Sequence, residues 1–201
     1  MKKLLIAAVT AAAAVSPATA AVVLFSNFDS ITSPDFATQG YTIIPTADGW
    51  TSSTNGIEIQ NNGVAGAPNS NPNLVELDTT TNSSMFYALA AGRYSVSYFY
   101  SPRPGVGADS NGIALSIGAM TLDSITAAGG GSTNFGLRTV DFTTTGGNLT
   151  FSAFGISDGL GGYLDDITVS TIPEPATWGL MLVGFGFVGY AARRRRTAVA
   201  A

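Results

Sequence analysis

The chain reads as an all-β protein, a β-sandwich arranged most simply as a jelly roll. Three observations predict it. Short runs of alternating or branched residues recur through the middle of the chain, separated by Gly, Asn, Ser and Pro. The longest, 93–100, puts Tyr94, Val96, Tyr98 and Tyr100 on one face and Ser95 and Ser97 on the other. No stretch outside the two ends sustains a helical period.

Taken in order, the expected strands are 22–25, 41–44, 57–59, 73–77, 84–89, 93–100, 113–117, 121–125, 139–143, 148–154 and 163–169. The run 148–154 repeats the stripe with Leu149, Phe151 and Ala153. Many short strands at fairly even spacing are the pattern of a sandwich. Residues 21–172 are enough for one domain with a core of its own.

The ends are of another kind. Lys2 and Lys3 precede an apolar segment, 4–15, and Ala18-Thr19-Ala20 has the small-residue pattern of a cleavage site. Residues 1–20 therefore read as a signal peptide, with the mature chain starting near Ala21 after passage through the Sec export machinery. At the other end, Pro173-Glu174-Pro175 leads into 176–192, which carries no charge, and Arg193, Arg194, Arg195 and Arg196 close the run. Seventeen residues make about 25 Å of helix, slightly short of the ~30 Å hydrocarbon core of a bilayer. The segment is expected to be a single transmembrane helix, with Trp178 and Tyr190 near its ends and the arginines on the cytoplasmic side.

The order of these residues, P-E-P-A-T-W-G followed by the apolar run and four arginines, closely resembles the PEP-CTERM sorting signal in its PEPxxWA form, with Gly179 where alanine is usual. The resemblance makes 173–201 the sorting segment. It implies a Gram-negative host that makes exopolysaccharide, and a membrane-embedded exosortase that cuts at or near the tripeptide. The protein would then pass from the inner membrane, held there transiently, to the cell surface or extracellular matrix. The tail alone is also compatible with a plain membrane anchor.

Composition excludes several function classes. Between the ends there are three basic residues, Arg93, Arg103 and Arg138, against twelve acidic ones, a net of minus nine. Such a surface repels nucleic acid. The chain has no cysteine and no histidine. That removes disulfides, the commonest zinc ligand and every Ser-His or Cys-His arrangement. Of the standard hydrolytic chemistries only a carboxylate pair remains open, and Glu58 and Glu76 are the domain's two glutamates.

A second resemblance covers the domain. Asn27-Phe28-Asp29 with Gly49-Trp50 near the start, Gly92-Arg93-Tyr94 in the middle and Gly162-Tyr163-Leu164-Asp165-Asp166-Ile167 near the end are similar to the galactose-binding-like jelly rolls, many of which are carbohydrate-binding modules. In that group the first and last strands lie close together, often with a structural Ca²⁺ between them. Carried over, the resemblance implies Asp29 and Asp165 as ligands, with Asp166 or Glu76. From the residues themselves, Asp165 alternates with Ile167 and Val169 and is expected to face the core. An inward carboxylate needs an arginine, backbone N–H groups or a cation, so a carboxylate fixing a turn fits as well.

Trp50, Phe99 and Arg103 are the candidate sugar contacts, a stacking ring or two beside a donor, although aromatic residues in a sandwich also serve the core. Asp109-Ser110-Asn111-Gly112 opens like a calcium loop but nothing downstream completes one, and Asn-Gly reads as a hairpin turn. The expected function is that of an exported, non-catalytic surface or matrix protein, associated with exopolysaccharide or biofilm and binding carbohydrate. The alternatives are a structural or adhesive protein without a specific ligand and a glycan-acting hydrolase.

Overall fold

Every expected strand from 22 to 169 is a strand in the computed structural model, which describes residues 19–53, 55–173 and 177–198. In chain order the strands are β1 (Val22–Ser26), β2 (Tyr41–Ile44), β3 (Thr46–Ala47), β4 (Trp50–Ser52), β5 (Ile57–Asn61), β6 (Asn73–Glu76), β7 (Ser84–Leu89), β8 (Gly92–Ser101), β9 (Gly112–Ile117), β10 (Met120–Ile125), β11 (Gly136–Thr144), β12 (Gly147–Phe154) and β13 (Tyr163–Thr171). Strands β3 and β4 have no counterpart among the sequence runs because two and three residues are too few to show alternation. A 3-10 turn, Pro34–Ala37, is set by Ser33, whose side chain accepts the Asp35 N–H, and by proline at its first position.

The strands form two antiparallel sheets. The larger runs β11-β8-β13-β6-β5-β2, with β1 pairing β13, and the smaller runs β10-β9-β12-β7-β4-β3. Their facing sides hold the core. Tyr98 packs edge-on to Phe151 at 4.9 Å between ring centres, and Trp50 does the same at 5.6 Å. Each such contact adds about 0.5–1.5 kcal/mol to the burial of the rings themselves. Trp50 is fully buried and its Nε1–H donates to Ser26 Oγ at 2.9 Å. It opens strand β4 and is a core residue.

The last strand departs from plain alternation. Between Asp165 and Thr168 the β8–β13 register slips by one residue, and Asp166 takes a left-handed φ of 47° at the bulge. Leu164 therefore joins Ile167 and Val169 in the core, while Asp165 turns to the opposite face. This corrects the inward direction expected for Asp165: an alternation count fails once a residue is inserted. The Asn111-Gly112 hairpin is also corrected. Gly112 opens β9, Asn111 is fully buried, and the turn joining β9 to β10 falls at Gly118, with φ 54°.

On the face turned away from the core, the larger sheet has two halves. One carries the row Ser101–Tyr163–Glu76–Glu58 and lies beneath loops. The other carries the rows Thr139–Ser97–Thr168–Phe25 and Asp141–Ser95–Ser170–Val22.

Residues Ala20–Ile172 form one compact unit, and the C-terminal helix α1 (Thr177–Ala198) belongs to another. Its uncharged part, 177–192, is sixteen residues, about 24 Å at 1.5 Å each, before the arginines begin. Among the described residues no helix is long and apolar enough to cross a membrane. A helix forms where one is expected, over the described residues 177–198.

Candidate functional site

Strands β5 and β6 place the two glutamates of the domain side by side. Glu58 and Glu76 are register partners, and alternation with Ile57 and Ile59, and with Val75, sends them away from the core. Gln60, two residues on, lies on the same face, and its Nε2–H₂ donates to Glu58 Oε1 at 2.8 Å and to Glu76 Oε2. The Arg103 guanidinium reaches Glu76 Oε2 at 2.5 Å and lies 5.8 Å from the centre of the Tyr163 ring. The Gly161 N–H donates to Glu76 Oε1.

Two carboxylates thus share one cation, out of water. Glu58 is 5% exposed and Glu76 0%. Burial pushes the Glu76 carboxyl well above its ordinary range, with Arg103 opposing and Glu58 adding to the rise. Burial likewise raises Glu58, against the Gln60 hydrogen bond. Tyr163 is fully buried, and burial lifts its hydroxyl pKa too.

The geometry is that of a carboxylate pair closed to solvent. Arg103 is held from its own backbone as well, its N–H donating to Asn111 Oδ1 at 2.8 Å. Asn111 in turn donates to the Val106 and Gly107 carbonyls, which fixes the loop as a lid of covalent chain over the glutamates. A polysaccharide has no route to these oxygens.

The acidic residues named for calcium fall into separate groups. Asp165 Oδ2 accepts the N–H groups of Asn69 and Ser70 at 2.8 and 2.9 Å, and its Oδ1 accepts the Asp166 N–H at 2.8 Å. Burial raises its pKa to about 7 against the pull of these N–H groups. Asp166 Oδ2 accepts from Asn69 Nδ2 at 2.7 Å. Asp29 takes the Asn73 N–H on Oδ1 and Asn27 Nδ2 on Oδ2. Glu76 is committed to Arg103, Gln60 and Gly161. The contacts of Asp165 and Asp166 with Asn69 and Ser70 fasten the chain between β5 and β6, as a carboxylate fixing a turn does. Among the described residues no group of three or more His, Cys, Asp or Glu is placed to hold a metal ion.

The sugar candidates part company. Trp50 is in the core, where its ring faces cannot meet a ligand, and Arg103 is engaged by Glu76. Phe99 is half-buried on the outer face of β8, opposite Asp165 and Leu137. A shallow cleft of 260 Å³ opens elsewhere, between the edge strands β10 and β11, over Leu122, Leu137 and the Asp123–Arg138 pair. Arg138 holds Asp123 through two bonds of 2.6 Å, keeping that carboxyl below its usual range, and Tyr98 donates to it from the core at 2.8 Å.

Sequence reasoning missed Gln60, Tyr163 and Asn111. A signal for the first was present: 57–60 reads Ile-Glu-Ile-Gln, which puts two polar residues on one face of a strand directly beside a glutamate-bearing neighbour. The cover supplied by distant loops left no such mark.

At the termini, Ala20 and Ala21 are exposed, and Ala18 lies outside the described residues. The Ala21 N–H donates to Thr171 Oγ1 at 3.1 Å and its carbonyl accepts the Thr171 N–H at 2.9 Å. Pro173 is described; Glu174 and Pro175 are not, nor are the side chains of Trp178 and of Arg194, Arg195 and Arg196. Arg193 is exposed on α1.

Residues 171–196 match the PEP-CTERM protein-sorting motif. No curated protein matches the sequence. Among solved structures, the K2 adhesin domain of Lys-gingipain is similar with a TM-score of 0.55 at 17% identity, over 77% of this chain and 98% of that one. The K1 adhesin domain of Lys-gingipain from Porphyromonas gingivalis W83 scores 0.45 at 14% identity, over 78% and 100%. The CBM22-1 xylan-binding domain of Xyn10C from Paenibacillus barcinonensis scores 0.45 at 11%, over 77% and 96%. At these identities the likeness is one of fold, and the K2 domain carries it.

Proposed function

We propose, starting from the PEP-CTERM protein-sorting motif that follows the last strand, that the chain is an exosortase substrate exported to the surface of a Gram-negative cell. There the sandwich serves as a non-catalytic surface or matrix component associated with exopolysaccharide, and binds it. The motif at 171–196 is the observation that carries the reading. Its position supports it. The Ile172 N–H is bonded to the Arg93 carbonyl, so the sheet ends one residue before Pro173. A cut at or beyond the tripeptide then leaves every strand intact. Proline at 173 and 175 withholds two N–H groups from strand pairing and favours an extended segment, the conformation proteases take hold of.

A hydrolytic role is disfavoured by chemistry. Without histidine or cysteine the carboxylate pair is the remaining candidate, and Glu58 and Glu76 are closed off beneath Arg103.

The test is the mass and location of the mature protein in its host, with Pro173-Glu174-Pro175 intact and with all three changed to alanine. The expected result is a shorter, surface-located product from the intact chain and retention at full tail length in the variant. Identical full-length, inner-membrane protein in both cases would reduce the tail to an anchor.

A further inference from the structure

The open half of the larger sheet's outer face is lined by uncharged hydroxyl side chains. Thr139, Ser97 and Thr168 stand in one row across β11, β8 and β13, and Ser95 and Ser170 continue the pattern in the next. None of these five hydroxyls makes a hydrogen bond within the protein among the described residues, and the same holds for the side chains of Arg93 and Asp141. Neighbouring strands lie ~4.8 Å apart, so free hydroxyls repeat across the row at about the advance of one ring in an extended glycan. The border on β1 is apolar: Phe25 is 55% exposed and pairs with Thr168.

Charge distinguishes this face from the rest of the domain. Of the twelve acidic residues between 21 and 172 only Asp141 lies on these rows, and Arg93 stands diagonally from it. A face without net charge, on a domain of net minus nine, complements an uncharged polymer and not a polycation or a polyanion. Free hydroxyls, one carboxylate and one guanidinium supply the hydrogen bonds that sugar hydroxyls exchange, and the exposed Phe25 ring offers an apolar face for a pyranose.

We propose that this surface, Thr139–Ser97–Thr168 with Ser95, Ser170 and Phe25, binds the flat side of a neutral polysaccharide chain. The proposal rests on the reading of the protein as a surface component and names the place on the domain where the polymer lies. It uses none of the residues under the loops.

The test takes the processed protein from its host and measures retardation in gels containing xylan, hydroxyethyl cellulose or alginate, the last as a charged polymer. Retardation by a neutral polymer, insensitive to salt, is expected. Ser97→Glu, which sets a charge in the middle of the row at a half-exposed site, is expected to weaken it at least about tenfold, ~1.4 kcal/mol. Phe25→Ser should act in the same direction, and Leu160→Ser, on a loop outside these rows, should not. Melting midpoints within about 2 °C of the wild type establish that the variants fold. No retardation by either neutral polymer, retardation by alginate alone, or equal loss in Leu160→Ser would overturn the proposal. So would concentration-dependent self-association abolished by Ser97→Glu, which would give the face to a second copy. Sorting is read separately from mass and location, so a failure of the tail reading leaves this result standing.

Discussion

Removing Arg103 is the most informative perturbation of the covered cluster. Among the described residues the guanidinium is the one cation facing Glu58 and Glu76, and the other ionisable groups around them, Asp78 and Tyr163, bring no positive charge. Its side chain is 14% exposed and that of Glu76 0%. Leaving one partner of such a pair buried alone costs about 3–5 kcal/mol. For a domain of this size 1 kcal/mol moves the melting midpoint by roughly 2–4 °C, so Arg103→Met should melt about 6–20 °C lower near pH 8. The pH dependence gives the sharper reading. Both glutamates have folded pKa values above their unfolded ones, so the folded state prefers them protonated. Their contribution is fully present below the ordinary carboxylate range and is lost as pH rises through the folded values. Without Arg103 the folded value of Glu76 rises further, and the loss at high pH deepens. Unfolding followed by circular dichroism at pH 5 and pH 8 should therefore show a deficit several kcal/mol larger at pH 8. A deficit equal at the two pH values, or below ~1 kcal/mol at both, would refute the idea that an uncompensated buried charge is the cause. The double variant Arg103→Met/Glu76→Gln should recover much of the loss.

Other expectations follow from the same geometry. Trp50→Ala should cost about 3–5 kcal/mol in urea unfolding by opening a core cavity, whereas a ligand-stacking role would leave stability unchanged and reduce sugar binding. Excess chelator should leave the melting midpoint of the processed protein where it is if Asp29, Asp165 and Asp166 serve only their hydrogen bonds within the chain; a rise on adding Ca²⁺ would establish the ion. Asp165→Ala should sensitise the segment around Asn69 and Ser70 to protease, because its two backbone N–H anchors go with the carboxylate. Asp166→Val should cost about 1–2 kcal/mol, since a branched residue at φ 47° is disfavoured, and a neutral outcome would mean that the bulge relaxes.

Most of the fold was legible because strands with one buried face advertise themselves. Tyr94, Val96, Tyr98 and Tyr100 are all core, and Leu149, Phe151 and Ala153 face them from the other sheet. Alternation failed where the chain inserts a residue: nothing in Leu164-Asp165-Asp166-Ile167 announces the bulge, so Asp165 was assigned the wrong face. Trp50 and Arg103 show a second limit. A ring after glycine and an arginine between prolines look exposed, yet burial is decided by what arrives from elsewhere, here Ser26 and Phe151 for the one and Glu76 for the other. The tail was readable residue by residue because a sorting signal is a linear message and needs no fold to be recognised.

Strand β13 is the last to be made and lies inside its sheet, with β8 on one side and β6 and β1 on the other. The order of synthesis and the order of assembly are thereby tied. Until residues 163–171 are free, β8 lacks one neighbour, β1 lacks its sole partner, and the larger sheet stays in two pieces. A chain built this way cannot complete its larger sheet while it is being threaded across a barrier, and completes it once its final strand has cleared.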